Sequence, residues 1–108
     1  IVFPPALVAF EIARAFKTSG IQWGLQNCYL EASGAFTGEN SAAVAWEMGA
    51  KYSLVGHSER RHVFGEPDDM IAKKVALVQS TGMIPVLCVG ETLDDRRWNR
   101  TQEVVQRQ

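Results

Sequence analysis

The sequence predicts an α/β fold made of four parallel strand-helix units, and three observations carry that prediction. Strand-like and helical runs alternate four times over, at the spacing of right-handed βαβ units. The last strand-like run, Met83 to Val89, is almost wholly apolar, the pattern of a strand covered on both faces of a parallel sheet. Proline or glycine marks boundaries at Pro4-Pro5, Gly20, Gly49 and Gly82, and neither an internal repeat nor a linker divides the 108 residues.

Ile1-Val2-Phe3 is a short buried-strand run, stopped by Pro4-Pro5, which cannot continue a ladder. Leu7, Phe10, Ala13 and Phe16 recur every three residues as an apolar helical stripe, ended by Gly20. Ile21 to Gln26 is strand-like. From Asn27 to Asn40 no period is convincing, and a loop of this length in a compact domain is usually functional. Phe36 sits at its tip between Gly34 and Gly38; such an aromatic either folds back onto its own body or inserts into a partner, and the residues alone leave both open. Ser41 can cap a helix running to Met48, with Gly49 as terminator. Tyr52 to Val55 is the third strand. Pro67-Asp68-Asp69 suits the first turn of a helix that carries Ile71, Val75 and Val78 on one face and is closed by Gly82. In the Met83 to Val89 strand, Pro85 requires a position where no N–H is needed. Gly90-Glu91-Thr92 ends that strand, and a polar loop leads to a last helix near Thr101 to Arg107.

Eleven basic and twelve acidic residues leave a formal charge of -1, with the basic residues scattered, so no nucleic-acid or polyanion surface is indicated. The one basic cluster, Arg60-Arg61-His62, reads as a solvated face. No apolar run approaches the roughly 18 residues of a membrane span, and no leader pattern opens the chain, so it reads as soluble and cytoplasmic. Cys28 and Cys88 form no C-x-x-C pair, which points to two buried thiols rather than to a disulfide or a zinc site. The chain opens on a bare apolar run and stops inside an uncapped helical pattern, so it is expected to be the central portion of a larger single domain, truncated at both ends.

The chemistry concentrates on Tyr52-Ser53-Leu54-Val55-Gly56-His57-Ser58-Glu59-Arg60-Arg61. A strand runs into Gly56, and His57 opens a segment whose early carboxylate suits a first helical turn. The carboxyl ends of parallel strands form the ligand-binding rim, which makes His57 the best catalytic candidate. His57, His62, Glu59 and Glu66 are near one another in sequence but lack an H-E-x-x-H pattern, so no metal site is expected. Cys88 lies in an apolar run that would leave it buried and unreactive. No glycine-rich phosphate loop is present, and no cofactor is expected. A histidine facing the positive end of the peptide dipoles favours its neutral form, whose N–H can polarise a carbonyl; spacing alone also allows a satisfied structural histidine.

Val55-Gly56-His57-Ser58-Glu59-Arg60-Arg61, followed by Val63-Phe64-Gly65-Glu66, resembles the catalytic-histidine segment of the triosephosphate isomerase family. Gln26-Asn27, Tyr29-Leu30-Glu31 and Gly34-Ala35-Phe36-Thr37-Gly38-Glu39 resemble its long third loop, and Cys88-Val89-Gly90-Glu91 the end of its fifth strand. Three such motifs, in order over most of the chain, are strongly specific. The resemblance implies a (β/α)8 barrel of roughly 250 residues with its active site on the loops after the strands, this chain supplying strands two to five. It implies a glycolytic and gluconeogenic activity, the cofactor-free interconversion of dihydroxyacetone phosphate and D-glyceraldehyde 3-phosphate by proton transfer through an enediolate. His57 would be the electrophile that hydrogen-bonds the substrate carbonyl and the enediolate oxygens; a histidine kept neutral by a helix N-terminus is the standing example drawn from this enzyme. Glu59 would be the acidic partner of a lysine carried on the first strand. Phe36, Thr37 and Glu39 would lie in a homodimer contact, with Phe36 inserting and Thr37 reaching the other subunit's active site.

The departures matter as much. The first strand with its asparagine and phosphate-binding lysine, the glutamate base after the sixth strand, the closing loop and the later phosphate-binding backbone fall outside this sequence. Glu66 and Glu91 match structural positions and do not replace the base, so the segment alone is expected to be inactive. One alternative is a non-catalytic α/β piece that keeps only the loop's interaction surface. A weaker one is a doubly wound phosphate- or nucleotide-binding module, which the missing glycine-rich turn disfavours.

Overall fold

The computed structural model describes residues 1–108. Strands β1 (Gly24–Leu25), β2 (Tyr52–Val55) and β3 (Ile84–Leu87) form a parallel sheet in the order β1-β2-β3, and Val2 adds an isolated parallel bridge to Trp23. Spatial order follows chain order without reversal, so these strands contain no switch point of the kind a doubly wound site requires. The helices are α1 (Ala9–Phe16), entered through a 3-10 turn at Ala6–Val8, α2 (Ala42–Glu47), α3 (Ser58–His62), α4 (Asp68–Ser80), α5 (Leu93–Arg97) and α6 (Thr101–Arg107). None is long and apolar enough to cross a membrane.

The core joins Trp23, Leu25 and Val55 to Ala42, Ala45, Ile71 and Val78, with Phe16 packed against it. Several elements form for the reasons their residues suggest. Ser41 Oγ accepts the Val44 N–H at 3.3 Å and starts α2, and Asp68 and Asp69 occupy the first turn of α4. Gly24 is required by close approach, because a Cβ there would collide with the Tyr52 carbonyl oxygen and lie 2.8 Å from the Phe3 ring. Gly24→Ala in the full-length protein is therefore expected to cost at least about 1–3 kcal/mol of stability. An unchanged urea midpoint would show that the β1–β2 contact relaxes freely.

Four expectations need correction. The stripe on the first helix is displaced: Leu7 is fully exposed and Phe10 largely so, while Ala9, Ile12, Ala13 and Phe16 face the core. A strict three-residue repeat drifts around an α-helix, and Leu7 belongs to the tighter 3-10 turn. The first strand reduces to a single bridge, Val2 donating to Gln22 O and accepting from Gly24 N, because the two prolines follow at once. The Met83 to Val89 run is not covered on both faces: Ile84, Leu87 and Val89 are exposed, since β3 is the edge of this sheet. Pro85 suits that edge, because the N–H groups of Ile84 and Cys88 donate to Lys51 and Val55 and the alternation turns the Pro85 nitrogen outward. Lastly, the polar loop contains α5, started by a capping box in which Asp95 N donates to Thr92 Oγ1 and Thr92 N donates back to Asp95 Oδ2.

Candidate active site

β2 ends at Val55, Gly56 turns the chain with φ +72°, and His57 becomes the N-cap of α3. The imidazole is 43% exposed and lines two clefts of about 360 and 460 Å³. The first lies toward Cys88, Gly90 and Thr92 after β3, the second toward Phe3, Gln26 and Leu54. His57 Nδ1 accepts the Glu59 N–H at 3.4 Å and stands 3.7 Å from the Glu59 carboxylate. One nitrogen cannot accept from an amide and donate to a carboxylate at once. Only the amide contact is within hydrogen-bond reach, which gives Nδ1 the acceptor role and leaves Nε2 as the nitrogen to carry the N–H. Such a ring offers one N–H to a cleft at the carboxyl end of the sheet.

Arg60 and Arg61 overturn the reading of a solvated basic face. The Arg61 side chain, 8% exposed, donates to Gly56 O, Cys88 O and Asp68 Oδ1 at 2.7, 3.2 and 2.6 Å. Arg60 donates through Nε and Nη2 to Glu66 Oε1 at 2.8 and 2.6 Å. That same oxygen takes a 2.6 Å hydrogen bond from Lys74 Nζ, which also donates to Asn27 Oδ1 at 2.8 Å. Lys74 is 2% and Glu66 5% exposed by side chain. Burial pushes the Glu66 carboxyl up, but the Lys74 and Arg60 hydrogen bonds outweigh it and hold the group below the usual carboxylate range. The sequence reading missed this network. A lysine at 74, in the same helical row as Ile71 and Val78, was the available signal.

The Asn27 to Asn40 segment is a loop, closed at its base by Tyr29 N donating to Asn40 O at 3.0 Å and by Asn40 Nδ2 donating to Asn27 O at 3.3 Å. Phe36 rests its ring against Tyr29, 4.3 Å between centroids, and remains 38% exposed; Thr37 and Glu39 are exposed beside it. Glu59 is exposed near His57. Thus His57 and Glu59 come together on the rim, whereas Phe36, Thr37 and Glu39 form a separate tip.

Both cysteines are free. Cys28 is fully buried, and that burial pushes its thiol up. Cys88 is only half-buried, contrary to expectation, because β3 is an edge. No group of three or more His, Cys, Asp or Glu side chains is arranged to hold a metal ion. The largest cleft, about 620 Å³, lies at the opposite end of the strands among Phe10, Phe16, Trp23 and Met48. It contains no histidine or cysteine, so size and chemistry disagree, and the chemistry favours the rim at His57.

Parallel strands in chain order, joined by helices and with a histidine on their carboxyl-end rim, fit the class of (β/α)8 barrels, of which this sheet would be a portion. The family profile described as triosephosphate isomerase matches residues 1–108, and the chain belongs to that family. It is 50% identical to a triosephosphate isomerase of Bdellovibrio bacteriovorus over 109 residues, covering 100% of this chain and 45% of that protein. Against the Zygosaccharomyces bailii protein of the same name it is 46% identical, covering 100% of this chain and 44% of the relative. For Acidithiobacillus ferrooxidans the identity is 44%, with coverage of 100% and 42%. The chain therefore spans less than half the length of these relatives.

Proposed function

We propose that this chain is the central portion of a triose-phosphate isomerase that interconverts dihydroxyacetone phosphate and D-glyceraldehyde 3-phosphate through an enediolate, without a cofactor, in the cytoplasm. The observation that carries the reading is the His57 imidazole at the end of β2, its Nδ1 taken by the Glu59 amide and its Nε2–H free to bind a carbonyl oxygen. As negative charge grows on that oxygen during proton removal, a fixed donor stabilises it more than it stabilises the ground state. Glu59, exposed beside the ring, is available to a lysine from another strand. The base and the phosphate-gripping lysine come from outside these 108 residues.

The experiment is an interconversion assay on two proteins, the full-length chain and residues 1–108. We expect turnover from the first and none from the second, since a carbonyl donor without a base supplies only part of the machinery. The short form is also expected to associate or unfold partially, because β3 presents an unpaired edge with Ile84 and Leu87 exposed. Turnover by residues 1–108 that is lost in His57→Ala would mean that an acid within the segment serves as base.

We further propose that the full-length protein is a homodimer joined through the Asn27 to Asn40 loop, with Phe36, Thr37 and Glu39 in the contact. In the single chain the Phe36 ring packs on Tyr29 but the residue stays 38% exposed, and its remaining apolar surface gains roughly 25 cal/mol per Å² when buried. Phe36→Asp is expected to shift sedimentation from dimer to monomer. A protein that sediments as a monomer before and after the change would contradict this reading.

A further inference from the structure

We propose that Arg61 is the positioning residue for His57, holding the peptides on either side of it so that the imidazole points into the cleft; the inference rests on His57 being the electrophile. The Arg61 backbone N–H donates to His57 O at 3.0 Å and closes the first turn of α3. Its side chain folds back and donates through Nε to Gly56 O at 2.7 Å. Both carbonyls that flank the His57 backbone are therefore held by one residue. Nη2 reaches Cys88 O at 3.2 Å, tying the end of β2 to the end of β3, and Nη1 pairs with Asp68 at the start of α4.

Gly56 supplies an independent observation. It has φ +72°, and a Cβ on it would lie 2.8 Å from Arg61 Nη2 and 3.1 Å from the Ile71 side chain. The guanidinium thus occupies the space over the turn that delivers His57, and glycine is the residue that leaves room for it. Each of the three guanidinium nitrogens already donates within the chain and the side chain is 8% exposed, so Arg61 is committed to this frame of carbonyls and acts through the histidine. A lysine would keep the ion pair with Asp68, but as a point charge on a flexible stem it cannot hold two carbonyls in a fixed plane.

The test uses Arg61→Met and Arg61→Lys in the full-length protein, with kcat, KM, inhibition by a phosphate-bearing competitor, and 15N spectra of the His57 imidazole. Misplacement of a reacting group by about 1 Å can cost on the order of 10²-fold in rate, so kcat should fall between about tenfold and that limit while KM and inhibitor affinity stay within about threefold. The His57 spectrum should change from one Nε2–H tautomer to a mixture. Arg61→Lys is read in the same two ways and keeps the test decisive if Arg61→Met does not fold. Unchanged kcat and spectrum in a folded variant overturn the proposal, as does a loss of activity with the His57 resonances unmoved. If the unaltered protein shows no triose phosphate turnover, the proposed function falls, and the imidazole spectra still decide whether Arg61 positions His57.

Discussion

Replacing His57 with alanine in the full-length protein is expected to lower kcat by on the order of 10²–10³-fold, about 2.7–4 kcal/mol of barrier. Affinity for a phosphate-bearing competitive inhibitor should change little, because the proposed role of His57 is at the carbonyl. The change also removes the α3 N-cap contact between Nδ1 and the Glu59 amide, which costs about 1 kcal/mol of stability at most for so long a bond. Unfolding midpoints measured beside the kinetics separate the two effects. His57→Gln, which keeps an N–H donor on a more flexible stem, should fall between wild type and alanine in kcat. Near-normal turnover in His57→Ala would remove the histidine from the mechanism.

The position of His57 was legible because a strand, a glycine and an early carboxylate follow one another in sequence, and short-range patterns of that kind specify local structure. Its tautomer was not, because it depends on which neighbour occupies Nδ1. The parallel order of the sheet followed from strand-helix alternation, whereas the exposure of Ile84, Leu87 and Val89 did not, since an apolar run reports what a strand could bury rather than what lies beside it. Arg61 and Lys74 were hidden for a related reason. A charged residue is by default solvated, and only the fold brings Cys88 O to the one and Glu66 to the other. The α5 capping box was readable from Thr92 and Asp95, but Asp in place of the usual Glu or Gln at the third position masked it.

Lys74→Met in the full-length protein is expected to destabilise it by about 3–5 kcal/mol, as breaking a buried ion pair on one side does. The substitution leaves Glu66, buried and with Oε2 making no hydrogen bond within the chain, to Arg60 alone, and it also cuts the Lys74 tie to Asn27 at the base of the loop. The pH dependence distinguishes this account from simple loss of packing. Glu66 is held below the usual carboxylate range, so the stability it contributes is present above the ordinary value of 4.5 and is lost as pH falls below that toward the folded value. Removing Lys74 takes away one of the two groups that hold the carboxyl down. Stability should therefore drop most near pH 7, and the acid limb of the curve, below the ordinary carboxyl value of 4.5, should flatten. Urea unfolding at fixed protein concentration across that range measures both, fixed because association changes apparent stability. A variant that loses the same stability at every pH would mean that Lys74 acts through its packed stem and not through the charge it presents to Glu66.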